Sequence, residues 1–164
     1  MKSKFYVLTG ACCTGKTTLI NELSKLGYET IREGTETYAS EDSGEDFDRK
    51  MFEYRKKQMD LKKDKGTVFC DRGLIDTIAY YKIRNRRVPS EFIEHMKKVT
   101  YEKVFILGDL GFYRNTSERK MLREEQKEFE KKLIDAYQNM GYEIEFIPKD
   151  TTTERLHQIL SFLD

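Results

Sequence analysis

The chain has 164 residues, enough for one domain of ordinary size, and its 38% of hydrophobic residues exclude a disordered chain. Thirty basic and 29 acidic residues give a net charge of +1, which argues against binding nucleic acid or an anionic membrane through overall charge. No apolar run reaches the ~20 residues of a membrane span, and with three cysteines and a strand-like N-terminus we expect a reduced, cytoplasmic protein.

Short apolar runs alternate along the chain with segments of helical spacing. The predicted strands are Phe5–Thr9, Tyr28–Arg32, Thr67–Cys70 with Asp71 at its tip, Tyr101–Leu107 and Tyr142–Ile147. The predicted helices are Gly15–Leu26, Asp46–Lys62, Gly73–Arg84, a short one from the N-cap Ser90 to Val99, Ser117–Met140, and a last one capped by Asp150 or Thr151. The polar segment 37–45 is predicted to be a loop. The alternation predicts one α/β domain over residues 1–164, with a mostly parallel sheet that binds its ligand at the carboxyl ends of the strands.

A complete phosphate-loop motif, G-x-x-x-x-G-K-[ST], lies between the first strand and the first helix. Backbone N–H groups of such a loop point at phosphate oxygens, and the helix N-terminus adds its positive end. Lys16 is predicted to bridge the outer two phosphates of ATP, and Thr17 to ligate Mg²⁺. The predicted nucleotide-binding residues are Gly10, Cys12, Cys13, Thr14, Gly15, Lys16, Thr17 and Thr18.

The third strand ends in a carboxylate, Asp71, that is followed at once by Arg72. Next to phosphates, Asp71 can take a proton from an attacking hydroxyl or hold metal-bound water, while Arg72 can bind the oxygens of an acceptor. The alternative is an ion pair that caps the next helix. Asp76 has two open interpretations, a role in this site or a simple preference for the N-terminal end of the helix dipole.

The phosphate loop and the following Asp71-Arg72-Gly73-x-x-Asp76-x-x-Ala79-Tyr80 together resemble the P-loop kinases. The greatest similarity is to the AAA-type domain family typified by the nicotinamide riboside kinase part of bacterial nicotinamide-nucleotide enzymes. Thymidylate and deoxynucleoside kinases are more distantly similar. The resemblance implies the P-loop NTPase fold, with three α/β/α layers and a five-stranded parallel sheet in the order 2-3-1-4-5.

The same resemblance implies residues that contact the acceptor. Glu33 matches the acidic residue that such kinases place near the acceptor, and Arg55 and Gln58 resemble an Arg-x-x-Gln element on the following helix. For Glu33 an ordinary loop acid, and for Arg55 and Gln58 a surface position, are the alternatives. Thr-Glu-Arg155 fits the closing helix of the family. The segment 108–113 is shorter and less proline-rich than in the family, so acceptor specificity does not transfer.

Two groups of basic residues remain. Arg114, Arg119, Lys120 and Arg123 lie where P-loop kinases carry a lid, predicted here at about 108–125. Arg119 and Arg123 share a helical face and are predicted to bring charge to the transferred phosphoryl group. Interleaved acidic residues leave a solvated helix face as the alternative. The second group, Arg84, Arg86 and Arg87, is interpreted as a solvated helix end.

The sequence therefore predicts a kinase that transfers the γ-phosphoryl group of ATP·Mg to a nucleoside, a nucleotide or a related metabolite. A regulatory nucleotide switch or plain NTPase is one alternative, although the guanine-reading Asn-Lys-x-Asp string does not occur in the sequence. A kinase acting on nucleic-acid ends is another, against which the balanced net charge argues.

Overall fold

The computed structural model describes residues 1–12, 14–35, 45–109 and 123–163. The strands are β1 (Lys4–Thr9), β2 (Glu29–Ile31), β3 (Thr67–Asp71), β4 (Lys103–Leu107) and β5 (Ile144–Ile147). The helices of the described part are α1 (Lys16–Lys25), α2 (Glu45–Leu61), α3 (Asp76–Ile83), α4 (Ser90–Lys98), α5 (Arg123–Asn139) and α6 (Thr152–Leu160).

The five strands form one parallel sheet in the order β2-β3-β1-β4-β5, which confirms the predicted fold. In the register of the central strands, Leu8 of β1 lies beside Asp71 of β3, and Thr9 of β1 beside Ile106 of β4. The carboxyl ends of β1, β3 and β4 therefore meet at one edge of the sheet, which is where parallel α/β folds bind their ligands.

Both faces of the sheet are covered, because alternate strand residues feed two separate apolar clusters. In β1, Phe5 and Val7 join one cluster while Tyr6 and Leu8 join the other. Helices α1 and α6 close the second face with Leu19, Ile20, Leu23 and Ile159. Helices α2 to α5 close the first face, with Phe52, Ile78, Phe92 and Phe129 among the packed side chains. The result is the predicted three-layer arrangement.

The observed bounds differ from the predicted ones mainly at the starts of elements. Helix α3 begins at Asp76 rather than at residue 73, because the chain first turns through Arg72, whose φ is 70°. The N-cap prediction for Ser90 is wrong: Pro89 is the N-cap and Ser90 is the first helical residue. The cap prediction for Thr151 is confirmed, since its side chain accepts a hydrogen bond from the Glu154 N–H.

The strands β2, β4 and β5 begin one or two residues later than predicted. Most of the predicted loop 37–45 and the first part of the predicted helix 117–140 lie outside the described residues. Within the described part, none of the helices combines the length and the apolar composition that crossing a membrane requires.

Candidate active site

The phosphate loop is shaped by two glycines between β1 and α1. Gly10 has a φ of 142°, and a Cβ there would stand 3.0 Å from the Leu107 carbonyl oxygen, so a larger residue would collide with β4. Gly15 adopts the left-handed conformation, with a φ of 85°, and turns the chain into α1. The first turn of α1 carries no acidic residue, so the positive end of its dipole faces the loop unopposed by its own side chains.

Side chains of the predicted nucleotide site are tied to the loop backbone. Lys16 is only 5% exposed, and its Nζ donates to the Ala11 carbonyl oxygen at 2.8 Å and to the Thr14 hydroxyl at 3.3 Å. Cys12 is half-buried, and Cys13 lies outside the described residues. The ammonium group is thus held across the loop, close to the N–H groups that would bind a phosphate.

Asp71 stands at the tip of β3 directly beside this loop. It is 2% exposed, and its Oδ2 accepts a hydrogen bond from the Thr17 hydroxyl at 3.3 Å. Its Oδ1 is buried and has no hydrogen-bond partner among the described residues. Burial and then the charge of Glu33 raise the pKa of Asp71, whereas Lys16 and Arg72 lower it. A buried carboxylate with an unused oxygen and a raised pKa is typical of a group that exchanges protons or binds an ordered ligand.

Arg72 joins the two sides of the site. Its Nε donates to Glu33 at 3.1 Å, and one terminal nitrogen donates to the Gly10 carbonyl oxygen at 2.8 Å and to Asp76 at 3.1 Å. The same nitrogen lies 3.4 Å from the Thr9 hydroxyl. The predicted ion pair with the next helix is therefore present, but its acid is Asp76 rather than Asp71. Arg72 also binds the phosphate loop and the predicted acceptor residue.

Asp76 belongs to this site, which settles its open interpretation in favour of a buried network. It is completely buried, and its carboxylate accepts hydrogen bonds from the hydroxyls of Thr9 and Tyr137 and from the Gly73 N–H. With the Arg72 guanidinium these donors use both carboxylate oxygens. Four donors compensate the burial of this charge, so Asp76 holds the turn that presents Arg72.

A small cleft opens beside Glu33, the hydrogen-bond partner of Arg72. It is lined by Glu33, Thr35, Phe47, Asp48, Met51, Arg55, Thr77 and Tyr80. Arg55 is 4% exposed, so its surface alternative is wrong, and its Nε has no hydrogen-bond partner in the described part. The buried Thr77 hydroxyl also has no hydrogen-bond partner among the described residues. Gln58 is half-buried and does not line the cleft, so its acceptor role stays a prediction without support from position.

The basic group at the end of α3 is a correction to the sequence analysis. Arg84 and Arg86 are not a solvated helix end, because they converge on buried Asp48 of α2 at 2.6 and 2.5 Å. Arg84 and Arg87 are exposed, and Arg86 is half-buried. The two ion pairs fasten α2, and with it Arg55, to the end of α3.

The predicted lid falls largely outside the described residues. Arg114, Arg119 and Lys120 are not described, and Arg123 is described only as the first residue of α5. Their lid role stays a prediction.

Sequence reasoning missed side chains that the fold brings to the site from a distance. Thr9 carried one usable signal, a hydroxyl residue that ends an otherwise apolar strand just before the loop. For Thr77, and for Asp48, which pairs with Arg84 and Arg86, no local sequence pattern indicated a place at the site. Arg155 was matched only to the closing helix, yet one of its nitrogens donates to the Thr14 carbonyl oxygen, 141 residues away in sequence.

The donor set fits ATP and Mg²⁺. Lys16, the glycine-shaped loop and the start of α1, where Thr17 and Thr18 are exposed, suit a polyphosphate. The Thr17 hydroxyl and the adjacent carboxylate of Asp71, whose Oδ2 lies 3.3 Å from it, are oxygen ligands of the kind that Mg²⁺ accepts. No group of three metal-ligating side chains occurs in the described ranges. Mg²⁺ there would take its remaining oxygens from phosphate and water, as it commonly does.

Fold and loop together define a P-loop domain of the kinase type. A family model described as an AAA domain matches residues 5–155, so the chain belongs to the AAA domain family. No curated protein matches the sequence.

Solved structures share the fold at low identity. A NadR protein in complex with NR is 17% identical, with a TM-score of 0.73 over 97% of this chain and 49% of that one. A deoxyadenosine kinase from M. mycoides is 19% identical, with a TM-score of 0.65 over 96% and 97% of the two chains. A thymidylate kinase from Candida albicans is 14% identical, with a TM-score of 0.65 over 98% and 90%.

Proposed function

We propose that this protein is a kinase that transfers the γ-phosphoryl group of ATP·Mg to a hydroxyl or phosphate oxygen of a nucleoside, a nucleotide or a related small metabolite. The observation that carries the proposal is the position of Asp71. Its Oδ1 is buried and unused by the described residues, its Oδ2 accepts from Thr17 at the start of α1, and it lies close enough to Glu33 of the cleft to feel that charge. The kinase names of proteins with this fold support the same function.

On the nucleotide side, residues of the chain bind ATP·Mg and orient its phosphates. The loop N–H groups and the Lys16 ammonium hold the β- and γ-phosphates, and Thr17 offers its hydroxyl to the metal. Bound Mg²⁺ neutralises phosphate charge that develops during transfer. The predicted lid residues Arg119 and Arg123 would add positive charge and exclude water from the other side.

On the acceptor side, Asp71 is the base. Its Oδ1 takes the proton of the acceptor hydroxyl as the new oxygen–phosphorus bond forms, and ADP leaves with the electrons of the bond that breaks. For a phosphate acceptor, which needs no deprotonation, Asp71 would instead order water around the metal. Arg72, fixed by Glu33 and Asp76, binds acceptor oxygens.

The cleft favours a small acceptor over the two alternatives. A nucleotide switch has no need of a second cleft beside its phosphate loop. The cleft of this protein has apolar walls and buried donors on Arg55 and Thr77. The mixture of apolar and hydrogen-bonding side chains that line it is typical of a small-molecule pocket.

The test is acceptor-dependent release of ADP. Purified protein with ATP and Mg²⁺ is screened against nucleosides, nucleotides and vitamins, alongside Lys16→Ala and the matched control Lys25→Ala at the exposed far end of α1. We expect ADP release with one acceptor class, lost in Lys16→Ala and kept in Lys25→Ala. Release that no acceptor stimulates would indicate a plain NTPase, and stimulation by polynucleotides with a steep salt dependence would indicate a nucleic-acid-end kinase.

A further inference from the structure

Arg155 is a buried cation that reaches the phosphate loop from the far end of the chain. It lies on α6 and is 2% exposed. Its three donor nitrogens bind the carbonyl oxygens of Thr14 at 2.5 Å, Gly108 at 2.9 Å and Pro148 at 3.2 Å. These carbonyls belong to the phosphate loop and to the chain just past β4 and β5. One side chain thus ties together three segments at the ligand-binding edge of the sheet.

The charge of Arg155 is compensated differently from that of Arg72. Arg72 forms ion pairs with Glu33 and Asp76, whereas no carboxylate of the described residues forms an ion pair with Arg155. Burial lowers the pKa of Arg155, and only the charge of Asp150 opposes this shift. A buried cation held by carbonyl dipoles alone keeps most of its positive potential, and the phosphate loop is the structure that it contacts.

The contact with Thr14 also acts on the loop through a peptide bond. The carbonyl that accepts from Arg155 belongs to the peptide unit whose N–H is that of Gly15, the N-cap of α1. A charged donor on the carbonyl polarises this unit and makes its N–H a stronger hydrogen-bond donor. The cation thus strengthens a loop N–H of the kind that would bind phosphate in the proposed ATP site.

We propose that Arg155 is a positioning residue of the nucleotide site, which holds Thr14 and supplies positive potential behind the phosphate loop. The inference rests on the ATP site of the proposed function but not on any acceptor. Loss of a purely structural clamp would distort the loop whatever the charge of the new side chain, so Arg155→Lys and Arg155→Gln would weaken ATP binding alike. An electrostatic role makes the loss grow with the number of phosphates, because attraction scales with ligand charge.

The experiment measures dissociation constants of ATP, ADP and AMP without acceptor by calorimetry, with competition for the weak ligands. Arg155→Gln removes the charge, and Arg155→Lys retains it with fewer donors. The control Lys97→Gln makes the same charge change at an exposed position in the last turn of α4. Because α4 leads into the amino end of β4, this position lies at the edge of the sheet opposite the phosphate loop. Circular dichroism checks that each variant is folded.

We expect Arg155→Gln to weaken ATP roughly tenfold, ADP less and AMP by about twofold or less, with the ranking following ligand charge. Arg155→Lys should retain the wild-type ratio of ATP to AMP affinity, and Lys97→Gln should match wild type. Equal losses for all three nucleotides, no loss, or an equal loss of ATP affinity in Arg155→Lys and Arg155→Gln would overturn the inference. If Arg155→Gln does not fold, loss of the ATP preference in Arg155→Lys overturns it. Failure of the wild type to bind ATP overturns the proposed function and the inference together.

Discussion

The two sides of Asp71 are built in different ways. On the proposed nucleotide side, the phosphate-loop motif is one continuous stretch of sequence, and its glycines Gly10 and Gly15 shape the backbone between β1 and α1. On the acceptor side, the cleft is assembled from side chains that come from the end of β2, from α2 and from α3. The nucleotide side is therefore local in sequence, and the acceptor side depends on tertiary packing.

This difference explains what the two sides are able to recognise. A backbone loop with the positive end of a helix binds any phosphate chain, because every phosphate offers the same oxygens. Under the proposed function, the cleft of side chains would recognise the shape and hydrogen bonds of one acceptor, with donors such as Arg55 Nε, which has no partner among the described residues. Variants on the two sides should accordingly separate nucleotide binding from acceptor recognition.

The largest expected effect is at the boundary between the sides. Asp71→Asn should keep ATP binding but lower turnover by roughly two to four orders of magnitude, the range for a lost general base. Measurement of kcat and of the dissociation constant of ATP checks both. Full turnover in this variant at ordinary Mg²⁺ would contradict the role of Asp71 on either side of the site.

We expect Asp71→Asn to raise stability although it lowers turnover. The pKa of Asp71 is raised in the folded protein, so wild-type stability falls as pH rises from the unfolded pKa through the folded one. Asp71→Asn removes this penalty, and we expect its free energy of unfolding at pH 7 to exceed that of wild type. Urea denaturation at pH 7 measures the difference in the free energy of unfolding between the variant and wild type. If Asp71 only stabilised the fold, Asp71→Asn would be the less stable of the two.

The second effect tests whether the hydrogen-bond network of Asp76 and Arg72 stabilises both sides of the site. Asp76→Asn places an amide N–H₂ against the donors of Arg72 and Thr9, and we expect it to lower the free energy of unfolding by about 3 kcal/mol. Turnover should fall as well, because Arg72 contacts both the loop and Glu33. Urea denaturation and steady-state kinetics measure the two changes.

Paired tyrosine variants serve as controls for that network. Tyr137→Phe removes one donor to Asp76 and should cost about 1 kcal/mol together with some turnover. Tyr142→Phe removes a neighbouring hydroxyl whose hydrogen bonds, among the described residues, are to the backbone of Tyr101 and Val99, and it should leave turnover unchanged. Equal turnover in the two variants would mean that Asp76 has no role beyond folding.

The contrast between the sides also determines what the sequence could predict. The sheet, its order and the phosphate loop followed from local patterns and from the family resemblance, and the structure confirms the sheet order. The clamp from Asp48 to Arg84 joins residues 36 positions apart, and Arg155 reaches Thr14 across 141. No local pattern encodes such pairs, because they exist only after the helices have packed on the sheet.

The third effect should be confined to the acceptor side. Arg55→Met keeps most of the buried volume but removes the donors that face the cleft. We expect KM for the acceptor to rise roughly tenfold, as for a lost hydrogen bond from a charged group, with little change in ATP affinity. The matched control is Lys57→Met, an exposed position on the same helix. A loss of ATP affinity in Arg55→Met would break the separation between the two sides.

The smallest effect is a shift in pH dependence that connects the two sides through charge. Burial and the charge of Glu33 raise the pKa of Asp71, and Asp71 must be ionised to act as a base. The acid limb of the kcat/KM profile should therefore lie above the ordinary range of an aspartate. Glu33→Gln removes the negative charge, so the pKa of Asp71 falls and the limb moves to lower pH, even if the maximal rate drops because Arg72 has lost a partner. A limb that moves upward or stays in place in Glu33→Gln would show that a group other than Asp71 titrates in the reaction.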